Sequence, residues 1–92
     1  MYLIYGIQKS GLSIVNYFEN KKIKFKMWDD NPIVRKAIKK NYKKEYFFNI
    51  KKDNLNDFEK IFVSPGISLR QKKFQRKNIS KKVNRDLNLY IS

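Results

Sequence analysis

The segment YLIYGIQKSGLSIVNYF, residues 2–18, holds the first arrangement with recognisable chemistry. A short apolar run ends at Gly6, a polar loop follows, and a helix-patterned segment opens at Gly11. Free backbone amides at the start of a helix favour an anion, so the amides around Ser10 are predicted to face a phosphate. Ser10 would add a hydroxyl and Lys9 a positive charge. The alternative is a structural turn in which Ser10 only caps the helix.

This loop matches neither of the two common nucleotide motifs. Gln8 stands where GxGxxG has its middle glycine, and Leu12 stands where GxxxxGK[ST] has its lysine. The chain has no cysteine and no histidine, which excludes thiolate metal sites and removes the usual general base. The sequence therefore predicts anion binding and offers no candidate catalytic residue and no metal ligands.

A second polar loop follows the alternating segment IKFKMW. Its first residue, Asp29, lies eighteen residues after Gly11, and a carboxylate at about that distance often accepts hydrogen bonds from a nucleotide in doubly wound folds. Asp30 or Asn31 is expected to cap the helix that begins at Pro32. We therefore predict ligand contact for Asp29 and helix capping for one of its two neighbours.

A third loop, Ser64-Pro65-Gly66-Ile67, leaves the apolar run IFV. Proline fixes one backbone dihedral and glycine permits a positive φ, so the sequence is typical of a type II turn. A bare turn is the alternative to a ligand contact here.

Segments with strand and helix patterns alternate along the chain. The predicted strands are Tyr2–Tyr5, Ile23–Trp28, Glu45–Ile50, Ile61–Ser64 and Ile79–Val83. The predicted helices are Gly11 to about Lys22, Pro32–Ile38, Leu69–Lys77 and a last one that starts at Asp86. The fold class is therefore α/β, a Rossmann-like open parallel sheet of about four to five strands with flanking helices. Ligands bind at the carboxyl ends of such strands, which places all three loops at one edge of the sheet.

Length and charge limit the remaining possibilities. At 92 residues, the chain is predicted to be a single domain, 1–92. A net charge of +14 suggests nucleic acid, but 18 of the 22 basic residues are lysines, whereas base reading relies on arginine. The lysines are also spread along the whole chain, so we expect a solvated surface and no nucleic-acid partner.

No run of eighteen apolar residues and no leader segment is present, so we expect a cytoplasmic protein with no membrane partner.

The three loops together resemble the N-terminal domain of the Mur ligases. The matching segments are GIQKSGLS at 6–13, WDDNP at 28–32, VSPGI at 63–67 and RDLNLY at 85–90, so the resemblance spans essentially the whole chain. It is most similar to the branch that adds D-glutamate to UDP-MurNAc-L-alanine in peptidoglycan synthesis.

The resemblance implies that this domain holds the UDP part of the substrate. Lys9, Ser10 and Gly11 would contact the diphosphate. The residues after the second strand, Asp29, Asp30 and Asn31, would hold uracil. The turn formed by Ser64, Pro65 and Gly66 would lie against the nucleotide.

The resemblance also implies what these residues do not do. ATP and Mg²⁺ would be bound by the central and C-terminal Mur ligase domains, no cofactor would be bound by this domain, and the fragment alone would be inactive. Two alternatives remain: a dinucleotide-binding module of an oxidoreductase, and a basic nucleic-acid-binding protein.

Overall fold

The N-terminal strand forms the centre of the sheet. The computed structural model describes residues 1–7, 9–49 and 53–85. Its elements in chain order are β1 (Tyr2–Tyr5), α1 (Lys9–Lys21), β2 (Phe25–Trp28), α2 (Pro32–Ile38), the 3-10 turns Lys44–Tyr46 and Leu55–Asp57, β3 (Lys60–Val63), α3 (Lys72–Gln75), α4 (Lys77–Ser80) and β4 (Val83–Asn84). The described strands form one parallel sheet in the order β2-β1-β3-β4. This arrangement confirms the predicted α/β, Rossmann-like class.

The sheet is covered on both faces. Alternate residues of β1 enter two different hydrophobic cores, which explains its uninterrupted apolar sequence. The first core includes Ile4, Ile14, Val15, Phe18, Phe25 and Met27. The second includes Leu3, Tyr5, Phe48, Ile61, Phe74 and Ile79. Because β1 is buried on both faces and paired along both edges, it fixes the position of the loops at its carboxyl end.

Helix α1 begins at Lys9, two residues earlier than predicted. Gly11 lies inside its first turn, and a Cβ there would be 2.0 Å from the carbonyl oxygen of Gly6. Glycine at this position therefore lets the helix start directly against the end of β1. The helix ends close to the predicted place, at Lys21, and Lys22 follows with a positive φ of 57°.

The predicted strand Glu45–Ile50 is largely wrong. Its first residues form a 3-10 turn, and only an isolated parallel bridge between Phe47 and Met27 remains in the described part of the segment. Tyr46 stacks on Phe25 in the first core, with ring centroids 5.1 Å apart, while Phe48 is buried in the second core. The aromatic side chains therefore set the path of this segment, and Ile50 lies outside the described residues.

The region after β3 also differs from the prediction. The predicted helix Leu69–Lys77 is interrupted at Arg76, whose extended backbone separates α3 from α4. Phe74 and Ile79 are both buried in the second core. They are five residues apart, so one continuous helix would point them about 140° apart, whereas the break lets both face the sheet. Ile79 is consequently helical, and the last strand is Val83–Asn84 instead of Ile79–Val83.

The predicted helix starting at Asp86 lies outside the described residues. In the parts of the chain that the structure describes, no helix has both the length and the apolar character needed to cross a membrane.

Candidate functional site

The carboxyl ends of three parallel strands surround a small cavity, which we call the rim pocket. Tyr5 is paired in register with Trp28 of β2 and with Val63 of β3, so the residues that follow each strand leave the sheet together. The described residues that line the rim pocket are Gly6, Asp29, Asp30, Asn31, Ser64, Gly66 and Ile67, and its volume is about 210 Å³. Five of the nine predicted site residues are thus brought to one place.

The rim pocket lies at the point where the chain changes sides of the sheet. The connection from β1 leads to β2 on one side, and β3 pairs with the other edge of β1. In open parallel sheets, this switch point between neighbouring strands is where ligands bind. The position of the pocket therefore follows from the strand order.

Gly6 makes the close approach of the first and third loops possible. It has a φ of 98°, a conformation that L side chains rarely adopt, and a Cβ there would lie 2.6 Å from the Cβ of Ser64. The amide of Ser64 donates to the carbonyl of Tyr5 at 2.9 Å, which continues the β1–β3 pairing to the edge of the sheet. Gly6 is therefore a structural requirement of the pocket.

The third loop is a hydrogen-bonded turn, but its type was predicted wrongly. The amide of Ile67 donates to the carbonyl of Ser64 at 2.9 Å. Gly66 has no positive φ, which excludes a type II turn. A Cβ at Gly66 would meet open space, so nothing in the folded chain requires glycine there. Pro65 is exposed and does not line the pocket.

Asp29 joins the first two loops from the inside. Its side chain is buried, and its two carboxylate oxygens accept hydrogen bonds from the amides of Ile7 and Asn31, each at 2.9 Å. The guanidinium of Arg35 donates to the Asp29 carbonyl at 2.7 Å. The carboxylate thus already has main-chain partners, and its contact with a ligand stays a prediction.

Asn31 is the residue that caps α2. Its side-chain oxygen accepts a hydrogen bond from the amide of Ile33 at 2.9 Å, and Pro32 occupies the first turn of the helix. This outcome confirms the prediction that Asp30 or Asn31 would cap this helix.

Asp30 lies at the centre of a polar cluster that the sequence did not indicate. Its carboxylate accepts hydrogen bonds from the Tyr5 hydroxyl and, at 3.1 Å, from the Trp28 indole Nε1. The ammonium of Lys73 lies 3.7 Å from Oδ1 of Asp30 and donates to the Tyr5 hydroxyl oxygen. The Gln71 side chain reaches the other carboxylate oxygen at 3.5 Å. We call these five residues the Asp30 cluster.

The contacts within the Asp30 cluster set the protonation states of Asp30 and Tyr5. Burial by itself would raise the pKa of Asp30, but hydrogen bonds from Tyr5 and Trp28 and the charge of Lys73 outweigh it, so the pKa lies below its usual value. Burial, and then the hydrogen bond to Asp30 and its negative charge, raise the pKa of Tyr5 far above that of a free phenol. At neutral pH, Asp30 is therefore an ionised acceptor and Tyr5 a neutral donor.

The first turn of α1 supplies the remaining predicted residues. Lys9, Ser10 and Gly11 all belong to this turn, and Gly11 packs against Gly6 beside the pocket. The structure describes no side-chain positions for Lys9 and Ser10, so the contacts predicted for them stay predictions. No acidic residue occupies the first turn of α1, so the positive end of the helix dipole is not offset locally.

A larger cavity of about 320 Å³ borders the Asp30 cluster on the side of the second core. Its described lining includes Tyr5, Trp28, Phe48, Lys73 and Arg76. It does not include the residues that follow β1 and β3 at the switch point. The rim pocket is therefore the better candidate for the ligand expected of this fold.

The described groups at the rim pocket form hydrogen bonds within the chain. Asp29 and Asp30 are both engaged as hydrogen-bond acceptors, and within residues 1–7, 9–49 and 53–85 no group of three acidic side chains could hold a metal ion. The pocket offers main-chain groups, a hydroxyl at Ser64 and two carboxylates. Its volume is below the roughly 300 Å³ of a site for a drug-sized ligand, so it would enclose only one part of a nucleotide.

Comparison with known proteins supplies the family. A family model described as Mur ligase MurD-like, N-terminal domain, matches residues 1–84 of the chain. No curated protein matches it.

Proposed function

Because the chain belongs to the Mur ligase family through a MurD-like N-terminal domain, we propose that its 92 residues bind the UDP moiety of UDP-MurNAc-L-alanine. Membership of the family supports a ligase role in peptidoglycan synthesis. The finer assignment, to the step that adds D-glutamate, rests on the resemblance of the three loops. A cytoplasmic site of action belongs to the same proposal.

The observation that carries the proposal is the convergence of the three loops. Residues from the loops after β2 and β3 line one pocket at the switch point, and Gly6 brings the first loop to it. The amino end of α1 starts against Gly6, so its free amides lie next to the pocket. A pocket for a base beside an anion-binding helix start is the arrangement that a nucleoside diphosphate requires.

We assign roles to the predicted residues on this basis. The diphosphate lies at Lys9, Ser10 and Gly11, where the free main-chain amides at the start of α1 favour an anion. Asp29 lines the pocket and contacts the nucleotide, while its carboxylate also holds the main chain of the first two loops. Uracil enters the rim pocket and meets Asp30 and Asn31.

The third loop completes the proposed contact surface. Ser64 and Gly66 line the pocket and would lie against the nucleotide. Pro65 would act through the shape of the turn, because its own side chain is exposed outside the pocket.

The chemistry of the complete ligase lies outside these residues in our proposal. The family's ATP-dependent, ADP-forming reaction needs ATP and Mg²⁺, and the described part of the chain offers no acidic group of the kind that holds a metal. We therefore expect the 92-residue chain to be inactive alone and to require the remaining Mur ligase domains as partners.

The direct test is a titration of the ¹⁵N-labelled chain followed by amide chemical shifts. UDP and UDP-MurNAc-L-alanine should both shift the amides of Asp30, Asn31, Ser64 and Gly66. UMP alone should shift these rim amides, whereas inorganic pyrophosphate alone should shift the amides in the first turn of α1. Shifts at the rim with NADH and none with the uridine ligands would favour an oxidoreductase module instead. Binding to an oligonucleotide with a steep dependence on salt would favour the nucleic-acid alternative.

Gly66→Ala gives the matching variant. Its new methyl group meets open space in the free chain and needs no positive φ, so we expect stability to stay within about 0.5 kcal/mol of the wild type. Because Gly66 lines the rim pocket, the methyl group should weaken UDP binding. Ser68→Ala, at an exposed position just after the same turn and outside the pocket, is the control. Equal UDP affinities for the two variants would contradict the assignment of the pocket.

A further inference from the structure

The Asp30 cluster connects one wall of the rim pocket, the loop after β2, to the end of β1 and to α3. Asp30 belongs to the loop after β2, whereas Lys73 belongs to α3, which follows the turn after β3. Tyr5, at the end of β1, lies between them and is bonded to both. The cluster therefore connects segments that are distant in sequence, through side chains and across the central strand.

The positions of Tyr5 and Lys73 are fixed by packing. The Tyr5 ring makes an edge-to-face contact with Phe74, with centroids 5.0 Å apart and planes at 81°. Phe74 is buried in the second core and follows Lys73 directly in α3. The Lys73 ammonium lies 5.0 Å from the centre of the Tyr5 ring. The burial of Phe74 thus places the adjacent Lys73 within reach of both Tyr5 and Asp30.

The loop that these contacts restrain carries two adjacent negative charges. Asp29 is held from the inside by main-chain amides, and Asp30 faces outward. Arg35 lies over the Trp28 ring, with its guanidinium carbon 4.4 Å from the ring centroid, and donates to the Asp29 carbonyl. Lys73 is therefore the cation that faces the Asp30 carboxylate among the described residues.

We propose that Lys73, acting through the Tyr5 hydroxyl, is a positioning residue that holds Asp30 and its loop in the arrangement that forms the rim pocket. Lys73 does not line the pocket itself. The consequence for UDP affinity rests on the proposed function. The positioning of Asp30 does not rest on the proposed function, because it can be measured without a ligand.

The only tryptophan of the chain provides the probe. The indole Nε1–H of Trp28 donates to the same carboxylate oxygen that accepts from Tyr5, so its ¹⁵N–¹H resonance reports the orientation and protonation of Asp30. We compare Lys73→Met with Lys72→Met, which removes one positive charge from an exposed neighbouring position of the same helix. The Lys73 variant should move the indole resonance and shift its titration midpoint to higher pH. The Lys72 variant should change neither.

UDP binding gives the second measurement. A hydrogen bond to a charged group corresponds to a change of about ten- to a hundredfold in an equilibrium constant. Lys73 acts on the pocket only through Asp30, so Lys73→Met should raise the Kd for UDP by about tenfold, at the lower end of this range. Lys73→Arg keeps the charge and should restore most of the affinity. Tyr5→Phe keeps the ring contact with Phe74, removes the hydroxyl and should move the indole resonance in the same direction as Lys73→Met.

The outcomes separate this proposal from the previous one. If Lys73→Met and Lys72→Met give the same indole titration, Lys73 does not position Asp30. If the indole titrations of these two variants differ but their UDP affinities agree, the cluster does not shape the pocket. Either result overturns the proposal. A wild-type chain that does not bind UDP overturns the proposed function, and the Trp28 titration alone then decides whether Lys73 positions Asp30.

Discussion

Replacing Asp29 with asparagine tests how the first two loops are held together. The two carboxylate oxygens accept from two main-chain amides, one of which belongs to the fully buried Ile7. Asparagine has nearly the same shape but only one oxygen. Its amide group must point towards one of the two N–H donors, so one hydrogen bond is lost and a donor faces a donor.

The expected loss of stability can be estimated from these contacts. A hydrogen bond to a charged group contributes about 1.5–3 kcal/mol, and a buried donor left without a partner costs about 1–3 kcal/mol. Partial relaxation of the loop reduces the sum, so we expect Asp29→Asn to lower the free energy of unfolding by about 2–4 kcal/mol. A domain of this length has a total stability of about 5–14 kcal/mol, so the effect is large.

Urea unfolding followed by far-UV circular dichroism measures this loss. Asp57→Asn is the control, because Asp57 also accepts from a main-chain amide, that of Asn54 at 3.1 Å, but in an exposed turn. It should cost less than about 1 kcal/mol. A loss for Asp29→Asn no larger than that of the control would refute the reasoning. Weaker UDP binding without a loss of stability would instead show that Asp29 acts mainly on the ligand.

Three further predictions concern single residues. Gly6→Ala should destabilise the domain by about 2–4 kcal/mol in urea unfolding, because alanine there would need a positive φ and its Cβ would lie 2.6 Å from the Cβ of Ser64. A loss of stability below about 0.5 kcal/mol would contradict this prediction. Lys22→Gly should raise stability by about 0.5–1 kcal/mol, since φ is 57° at a helix end that suits glycine, and unchanged stability would show that the lysine is not strained there. The lowered pKa of Asp30 means that its stabilising contribution is present above the ordinary carboxyl pKa and disappears as the pH falls through the lowered one. The stability difference between the wild type and Asp30→Asn should therefore shrink from about pH 4 downward, and a constant difference would exclude this linkage.

The sheet and the location of the site could be predicted because they depend on local patterns. The apolar run before Gly6, the alternation of IKFKMW and the apolar run before Ser64 each indicate a strand, and the structure has a strand in each of these segments. Once the strands are parallel, their carboxyl ends must share one edge. The convergence of the loops at that edge follows without any knowledge of side-chain contacts.

The regions that were predicted wrongly depend on tertiary packing. Nothing local in Leu69–Lys77 indicates that Phe74 and Ile79 must enter the same core, and this requirement breaks the helix at Arg76. Similarly, the stacking of Tyr46 on Phe25 replaces a strand with a turn. In both cases, aromatic or aliphatic burial overrides the local pattern.

The Asp30 cluster could not be predicted for a related reason. Tyr5 and Lys73 are 68 residues apart, and each is unremarkable in its own segment. The signal that existed was the position of Tyr5, whose hydroxyl belongs to the last residue of a strand that ends at the predicted site. A polar atom at the end of a buried strand needs a partner, but the sequence does not say which one.

The central position of β1 has a consequence for how the chain folds. β1 is synthesised well before its second neighbour, β3, which begins only at Lys60. Until β3 is synthesised, one edge of the apolar strand β1 has no partner. The start of α1, which lies against Gly6, also lacks the neighbouring turn that begins at Ser64. The chain must close long loops before the sheet is complete. Folding is slower in proteins whose contacts mostly join residues far apart in the sequence. We therefore expect chaperone dependence during synthesis to be greatest in this interval, when an unpaired apolar edge favours aggregation.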